Sequence, residues 1–153
     1  MTDLSPSAIY LYKNYTFEDD QSQKDKFTII LHSTPIETFI IHSLTTSQNK
    51  LQLPEVNYGC SIIRDGFPYF FIPSGKIIGD KQFSFSKNTF IFFANNIRKE
   101  PIEKFQKAQQ QLRLTYFGHL LPDELKRILK CALKSKLISK EIVGILSRLK
   151  SDL

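Results

Sequence analysis

Residues 24–48 read KDKFTIILHSTPIETFIIHSLTTSQ, and their pattern decides the fold. Two short apolar runs, residues 27–31 and 39–44, are rich in Ile and Phe and flank a Ser33-Thr34-Pro35 turn, which predicts strand, turn, strand. On the first strand Phe27, Ile29 and Leu31 share one face, while Lys26, Thr28, Ile30 and His32 share the other. Lys26 and His32 then lie about 20 Å apart at ~3.3 Å per residue, too far to serve one phosphate unless the strand bends sharply. A loop dense in hydroxyls and amides follows: Thr45, Thr46, Ser47, Gln48 and Asn49. Polar side chains at the mouth of packed strands are where a scaffold commonly displays chemistry.

Upstream, residues 9–15 (IYLYKNY) alternate as a first strand, with Ile9 and Leu11 on one face and Tyr10 and Tyr12 on the other. Residues 17–26 (FEDDQSQKDK) read as a charged connection too polar to pack. Downstream, Arg64-Asp65-Gly66 and Pro73-Ser74-Gly75 are turn signals around an aromatic strand, residues 67–72 (FPYFFI). An inserted or elongated hairpin is therefore expected at about 57–86. Residues 89–93 (TFIFF) are nearly all apolar, so a central strand is expected there.

From Pro101 the period changes. Ile102, Phe105 and Ala108 recur at helical spacing across 101–112, with Pro101 suited to the first helical position. A second helix is predicted from Pro122, with Asp123 and Glu124 near its positive end. Leu125, Ile128, Leu129, Ala132 and Leu133 form its apolar stripe, and Lys126, Lys130 and Lys134 line another face. Ser139 is the expected cap of a third helix over 140–150, with Ile142, Ile145, Leu146 and Leu149 inward.

At 153 residues the chain is long enough for one domain with a real core, and its 41% apolar content with 13 Phe and 6 Tyr argues against disorder. No apolar run approaches the ~18 residues of a membrane span. The N-terminal residues lack a basic stretch followed by an apolar core, so no signal peptide is expected and the expected location is cytoplasmic. Cys60 and Cys131 are too few for a disulfide framework or a zinc site, and two reduced, partly buried thiols are expected. The net charge of +6 is uneven: residues 1–80 hold 6 of the 21 Lys/Arg and 9 of the 15 Asp/Glu, so the first half is acidic and the second strongly basic. A basic half suits a polyanionic partner, nucleic acid or an acidic protein segment.

The quoted stretch resembles the second and third strands of the MazF/PemK toxins, small SH3-like barrels that cleave RNA in toxin–antitoxin systems. Lys26-Phe27 stands where that family has an Arg-Pro pair, and Leu44-Thr45-Thr46 stands at its catalytic Thr. Pro54-Glu55-Val56, closing the loop, also fits the pattern. The likeness resumes over 88–97 (NTFIFFANNI) and 121–136, where the family has its last barrel strand and its closing helix. The fold implied is mainly β with C-terminal helices, an α+β single domain over 1–153. Residues 1–97 form the barrel with its extra hairpin, and 98–153 form a helical segment.

The resemblance also implies chemistry. The substrate supplies the nucleophile: an RNA 2′-hydroxyl attacks the adjacent phosphorus, giving a 2′,3′-cyclic phosphate and a 5′-hydroxyl without metal or cofactor. The protein assists removal of the 2′-proton and stabilises the phosphorane. An Arg suits the second task because its planar fork grips two phosphate oxygens, yet no Arg precedes Arg64 here. Lys26 is the nearest catalytic candidate, with Thr45 as its partner and Lys24 as a fallback cation. Thr46, Ser47, Gln48 and His32 are the further RNA-binding candidates. The partners implied are single-stranded RNA, a cognate antitoxin and a second copy of the chain, with no membrane.

Plainer readings stand beside these. The lysines can be solvated loop residues, and the hydroxyl loop can be a turn that satisfies its own backbone donors. The three histidines can be packed or surface residues. Tyr10, Tyr12, Tyr15, Phe67, Tyr69, Phe70 and Phe71 can be core rather than stacking platforms. A non-catalytic barrel that binds nucleic acid or a partner protein is the alternative function. A DNA-binding role for the basic helices is a third, although no recognition-helix pattern stands out.

Overall fold

The computed structural model describes residues 4–34, 36, 38–49, 51–53 and 55–153. Pro35 of the expected turn and Pro54 of the loop closure lie outside the described residues. The described residues form a mixed α+β structure with two antiparallel sheets and four helices. The strands are β1 (Ala8–Thr16), β2 (Gln23–His32), β3 (Phe39–Leu44), β4 (Gly59–Arg64), β5 (Phe67–Ile72), β6 (Thr89–Phe92), β7 (Ile97–Pro101) and β8 (Leu114–His119). The helices are α1 (Phe93–Asn96), α2 (Ile102–Gln110), α3 (Pro122–Ala132) and α4 (Lys140–Ser151).

The larger sheet runs in the order β7-β3-β2-β1-β8 and the smaller in the order β4-β5-β6. Alternation along β1 and β2 divides the large sheet into two apolar faces. Ile9, Ile29, Leu31 and Ile41 pack with Phe70, Ile72 and Ile91 of the small sheet and with the apolar stripes of α3 and α4. On the opposite face Tyr10, Tyr12, Tyr15, Ile30, Ile40 and Leu44 pack on Phe105 and Ala108 of α2. The large sheet is therefore covered on both sides, which is why its middle strands read as near-continuous apolar runs. Complete burial of a side chain such as Phe105 contributes roughly 1.5–3 kcal/mol.

The strands at 9–15, 39–44 and 67–72, the Asp65-Gly66 turn and all three helices form where their patterns place them. Ser139 caps α4, its hydroxyl accepting from the N–H of Ile142 at 3.3 Å. Gly66 (φ +81°) is packed so closely that a Cβ there would lie 2.5 Å from Lys136 Cδ.

Other expectations are corrected. Neither sheet closes into a barrel among the described residues; the two are joined by a bridge in which Thr46 and Phe90 exchange N–H···O bonds of 2.9 and 2.7 Å. β2 starts at Gln23, so residues 23–26 are strand and not connection. Their side chains stay outside or half-buried while the backbone pairs with β1, which polarity does not oppose. β6 is an edge strand, with β5 at the centre of its sheet. Pro101 precedes α2 and does not open it. Strands β7 and β8 were not expected, because IRKEP and LTYFGH lack a clean period of two. The hairpin at 59–72 is no appendage: β5 pairs with β6 and supplies Phe70 and Ile72 to the main core.

The thiols are also corrected. Cys60 on β4 and Cys131 on α3 form a disulfide with a Cα–Cα separation of 5.6 Å. Sequence distance hid the pair, since 71 residues separate the two and only the packing of α3 on the hairpin brings them together. Closing so long a loop in the unfolded chain corresponds to roughly 4 kcal/mol. Urea unfolding of the intact protein with and without a dithiol reductant should show that loss, and Cys60→Ser should unfold at the midpoint of the reduced form. A midpoint indifferent to reductant would refute the bond's contribution.

Candidate functional site

The pairing of β2 with β3 sets Thr28 opposite Leu44, so the chain leaving β3 runs past Phe27. Both donors of Thr45 end on the Phe27 carbonyl: its N–H at 3.2 Å and its hydroxyl at 3.1 Å. Thr45 is 4% exposed and thus belongs to the wall, with Ser47 exposed beyond it. These residues border a cleft of about 350 Å³ that Lys26 and Asp25 also line. Lys87 and Ser86, leading into β6, complete its far side, and Leu11, Phe27 and Phe85 give it an apolar floor. The Thr46–Phe90 bridge carries the β6 end of the chain to this place.

Lys26 and Thr45 therefore share a cleft, with Ser47 beside them. Lys24 sits two residues further out on β2, exposed opposite Tyr15, and does not line it. His32 is at the far end of β2, stacked on Phe39 at 5.6 Å and 26°. The strand does not bend it back toward Lys26, so these two RNA-binding candidates are outside the cleft. Gln48 is exposed and its N–H donates to the Thr46 hydroxyl at 3.2 Å, the local turn bond that such loops make. Thr46 faces a different cavity, lined also by Phe67, Phe92 and Asn95.

Two charged lining residues were not singled out from sequence. Asp25 sat in what read as a connection; its Oδ1 accepts from the N–H of Asn14 at 2.9 Å, where β1 bulges and Asn14 takes φ +56°. Lys87 comes from the basic half of the chain and meets the acidic half here. The cleft is thus lined by two ammonium groups, one carboxylate and the hydroxyl residues Thr45, Ser47, Ser86 and Thr89 over an apolar floor. Cations of this kind stabilise phosphodiester oxygens, and a carboxylate can accept a proton.

A second polar constellation lies inside the protein. Tyr15 donates to Glu100 Oε2 at 2.8 Å, Lys104 donates to Glu100 Oε1 at 2.5 Å, and His42 Nε2 also bonds Glu100 Oε2. His42 Nδ1 meets the Thr28 hydroxyl at 2.6 Å. Burial pushes His42 down, against the attraction of Glu100. Burial would raise Glu100, but hydrogen bonds from His42, Lys104 and Tyr15 prevail and hold it at about 2. Tyr15, buried beside that carboxylate, is raised. His42 is wholly buried and Glu100 is 6% exposed, so their bonding capacity is used inside the fold. The network ties β1, β2, β3, β7 and α2 together. No sequence pattern pointed to Glu100, because β7 had none.

His119 is likewise engaged at both ring nitrogens, by Ser5 Oγ at 2.8 Å and Tyr116 OH at 2.6 Å. Tyr10, Tyr12, Tyr15, Tyr69, Phe70 and Phe71 are buried, so they are core and offer no stacking surface. On α3, Lys126, Lys130 and Lys134 form an exposed stripe with no ion pair among the described residues. No helix among the described residues is long and apolar enough to cross a membrane. No protein-family model matches the chain, and no curated protein matches it.

The buried network predicts acid lability. His42 and Glu100 both titrate lower in the folded than in the unfolded chain, so each contributes stability above its unfolded value and loses it as pH falls. Thermal stability should decline from near pH 6.5 downward and continue falling toward pH 2. Glu100→Ala should cost about 3–5 kcal/mol at pH 7 and flatten that decline. An unchanged pH profile in the variant would show that the network does not govern it.

Proposed function

We propose that this chain is a metal-independent endoribonuclease acting on single-stranded RNA, with its reaction centre in the cleft shared by Lys26 and Thr45. The observation that supports this reading is that two residues 19 positions apart, matched to the MazF/PemK pattern from sequence, line one cleft. In that cleft the Lys26 and Lys87 ammonium groups bind the scissile phosphate. The Asp25 carboxylate takes the proton of the 2′-hydroxyl as its oxygen bonds to phosphorus. The bond to the 5′-oxygen breaks, that oxygen leaves with a proton from water or Lys26, and a 2′,3′-cyclic phosphate remains. Thr45 orients the strand ends through Phe27, while Ser47 hydrogen-bonds a phosphate oxygen.

The element order and the joined pair of antiparallel sheets support an SH3-like framework of the MazF/PemK type. In that setting the chain acts as the toxin of a toxin–antitoxin pair, as a homodimer restrained by its antitoxin in the cytoplasm. Disulfides persist where thiols are not kept reduced, so the Cys60–Cys131 bond weighs against the cytoplasmic part of this reading.

One observation favours a second reading. The Thr45 hydroxyl spends its proton on the Phe27 carbonyl, and Lys replaces the forked Arg that suits a phosphorane. A cleft so equipped binds RNA without cleaving it.

The test incubates the protein with end-labelled single-stranded RNA in EDTA and identifies the product ends. Cyclic phosphate and 5′-hydroxyl ends are expected. Lys26→Ala and Asp25→Asn should each lower kcat/KM by about a hundredfold or more. Binding without cleavage, at an affinity that Lys26→Ala weakens, would establish the second reading instead.

A further inference from the structure

Thr45 and Thr46 are consecutive residues just beyond the end of β3, yet they line different spaces. Thr45 borders the Lys26 cleft, whereas Thr46 borders a cavity of about 280 Å³. The same short piece of backbone is thus the wall between them.

This cavity has a distinct chemistry. Phe67 and Phe92, both half-buried, form aromatic walls, and Ile63 and Leu51 add apolar rim. The Arg64 guanidinium lies over the face of the Phe67 ring, 4.2 Å from its centroid, and adds a cation to that wall. Phe92 is held by stacking on Phe90, with centroids 5.4 Å apart and planes 5° from parallel. At one end α1 presents two carboxamides. Asn96 Oδ1 accepts the N–H of Phe92 at 2.7 Å, which fixes the end of the slot. Asn95 is exposed, and its side-chain amide makes no hydrogen bond among the described residues.

A space of this size is small for a drug-like molecule or a peptide segment and suits one planar ring system. Aromatic and guanidinium planes with a nearby unsatisfied amide are the groups that take up an unstacked base and read its edge. A carboxamide offers one donor and one acceptor side by side, which matches the acceptor–donor edge of adenine. We propose that this cavity is a nucleobase subsite that holds the base next to the phosphate in the Lys26 cleft, with adenine preferred through Asn95. The inference rests on the RNA reading above for its neighbour, but its own test does not require cleavage.

Titration of the full-length protein with each of the four ribonucleoside 5′-monophosphates, followed by amide chemical shifts, is the direct experiment. AMP should saturate shifts at Phe67, Phe92 and Asn95, and should bind more tightly than the other three. Asn95→Ala, an exposed change, should lower AMP affinity about tenfold and erase the preference among bases. Phe92→Leu should weaken all four alike. The Lys26→Ala protein should keep the AMP shifts at Asn95 even though cleavage is lost.

Absence of saturable shifts for every nucleotide would overturn the subsite, as would AMP binding indifferent to Asn95→Ala. Saturation of the same amides by an apolar peptide, with no nucleotide competing, would overturn it in favour of a protein partner. If AMP binds as described and RNA is never cleaved, the nuclease reading falls and the subsite stands. If RNA is cleaved with no base binding at Asn95, the reverse holds.

Discussion

The Phe27 carbonyl oxygen is the point on which the arrangement turns, because it accepts both the N–H and the hydroxyl of Thr45. Two bonds to one acceptor hold the exit of β3 against β2 at a single register. A slip of one residue would send Ile29 and Leu31 to the tyrosine side of the sheet and Ile30 to the other. That register also delivers Thr46 to Phe90, the bridge by which the large and small sheets meet. The cleft and the neighbouring cavity exist because that one piece of backbone is pinned from both sides.

Charge is distributed by the fold in two different ways. Glu100 is buried and surrounded by three donors, so its charge is neutralised locally and contributes to cohesion between strands. Asp25, Lys26 and Lys87 instead line a cleft open to solvent, where a polyanion can compete for the cations. Lys126, Lys130 and Lys134 on α3 are further out still, and their exposure makes them contributors to the field more than to any one contact. The disulfide adds a separate constraint: it fastens the β4–β5 hairpin, which supplies Phe67 and Arg64 to the cavity, to the helical side of the protein.

Parts of the site were legible and parts were not, for identifiable reasons. Lys26 and Thr45 were matched through the family resemblance and Ser47 through the hydroxyl-rich loop after them, and the three line one cleft. Lys24 and His32 were carried along by proximity in sequence, but a strand is rigid and extended, so neighbours along it end up far apart or on its outer end. Asp25 and Lys87 went unnoticed for the opposite reason. One was hidden in a polar segment read as a connection, and the other lies in the bend leading into β6, which reaches the cleft through the sheet junction. His42 was read, with the other histidines, as packed or on the surface; it is packed, and its carboxylate partner lay on a strand with no period to find.

What the sequence alone determined is the set of locally encoded elements: β1, β3, β5, their turns and the three longer helices, each announced by a period of 2 or 3.6 and by caps. Their faces followed too, since alternation assigns Ile9 and Ile29 to one core and Tyr10 and Ile30 to the other. Tertiary structure alone decided the rest. Strands β7 and β8 are held by partners 54 and more residues away, as in Arg98 opposite His42 and Thr115 opposite Leu11. The open pair of sheets, the Cys60–Cys131 bond and the meeting of Lys87 with Lys26 are likewise products of long-range pairing. A local pattern carries the free energy of one element against solvent, whereas these contacts gain theirs only after the chain has closed on itself.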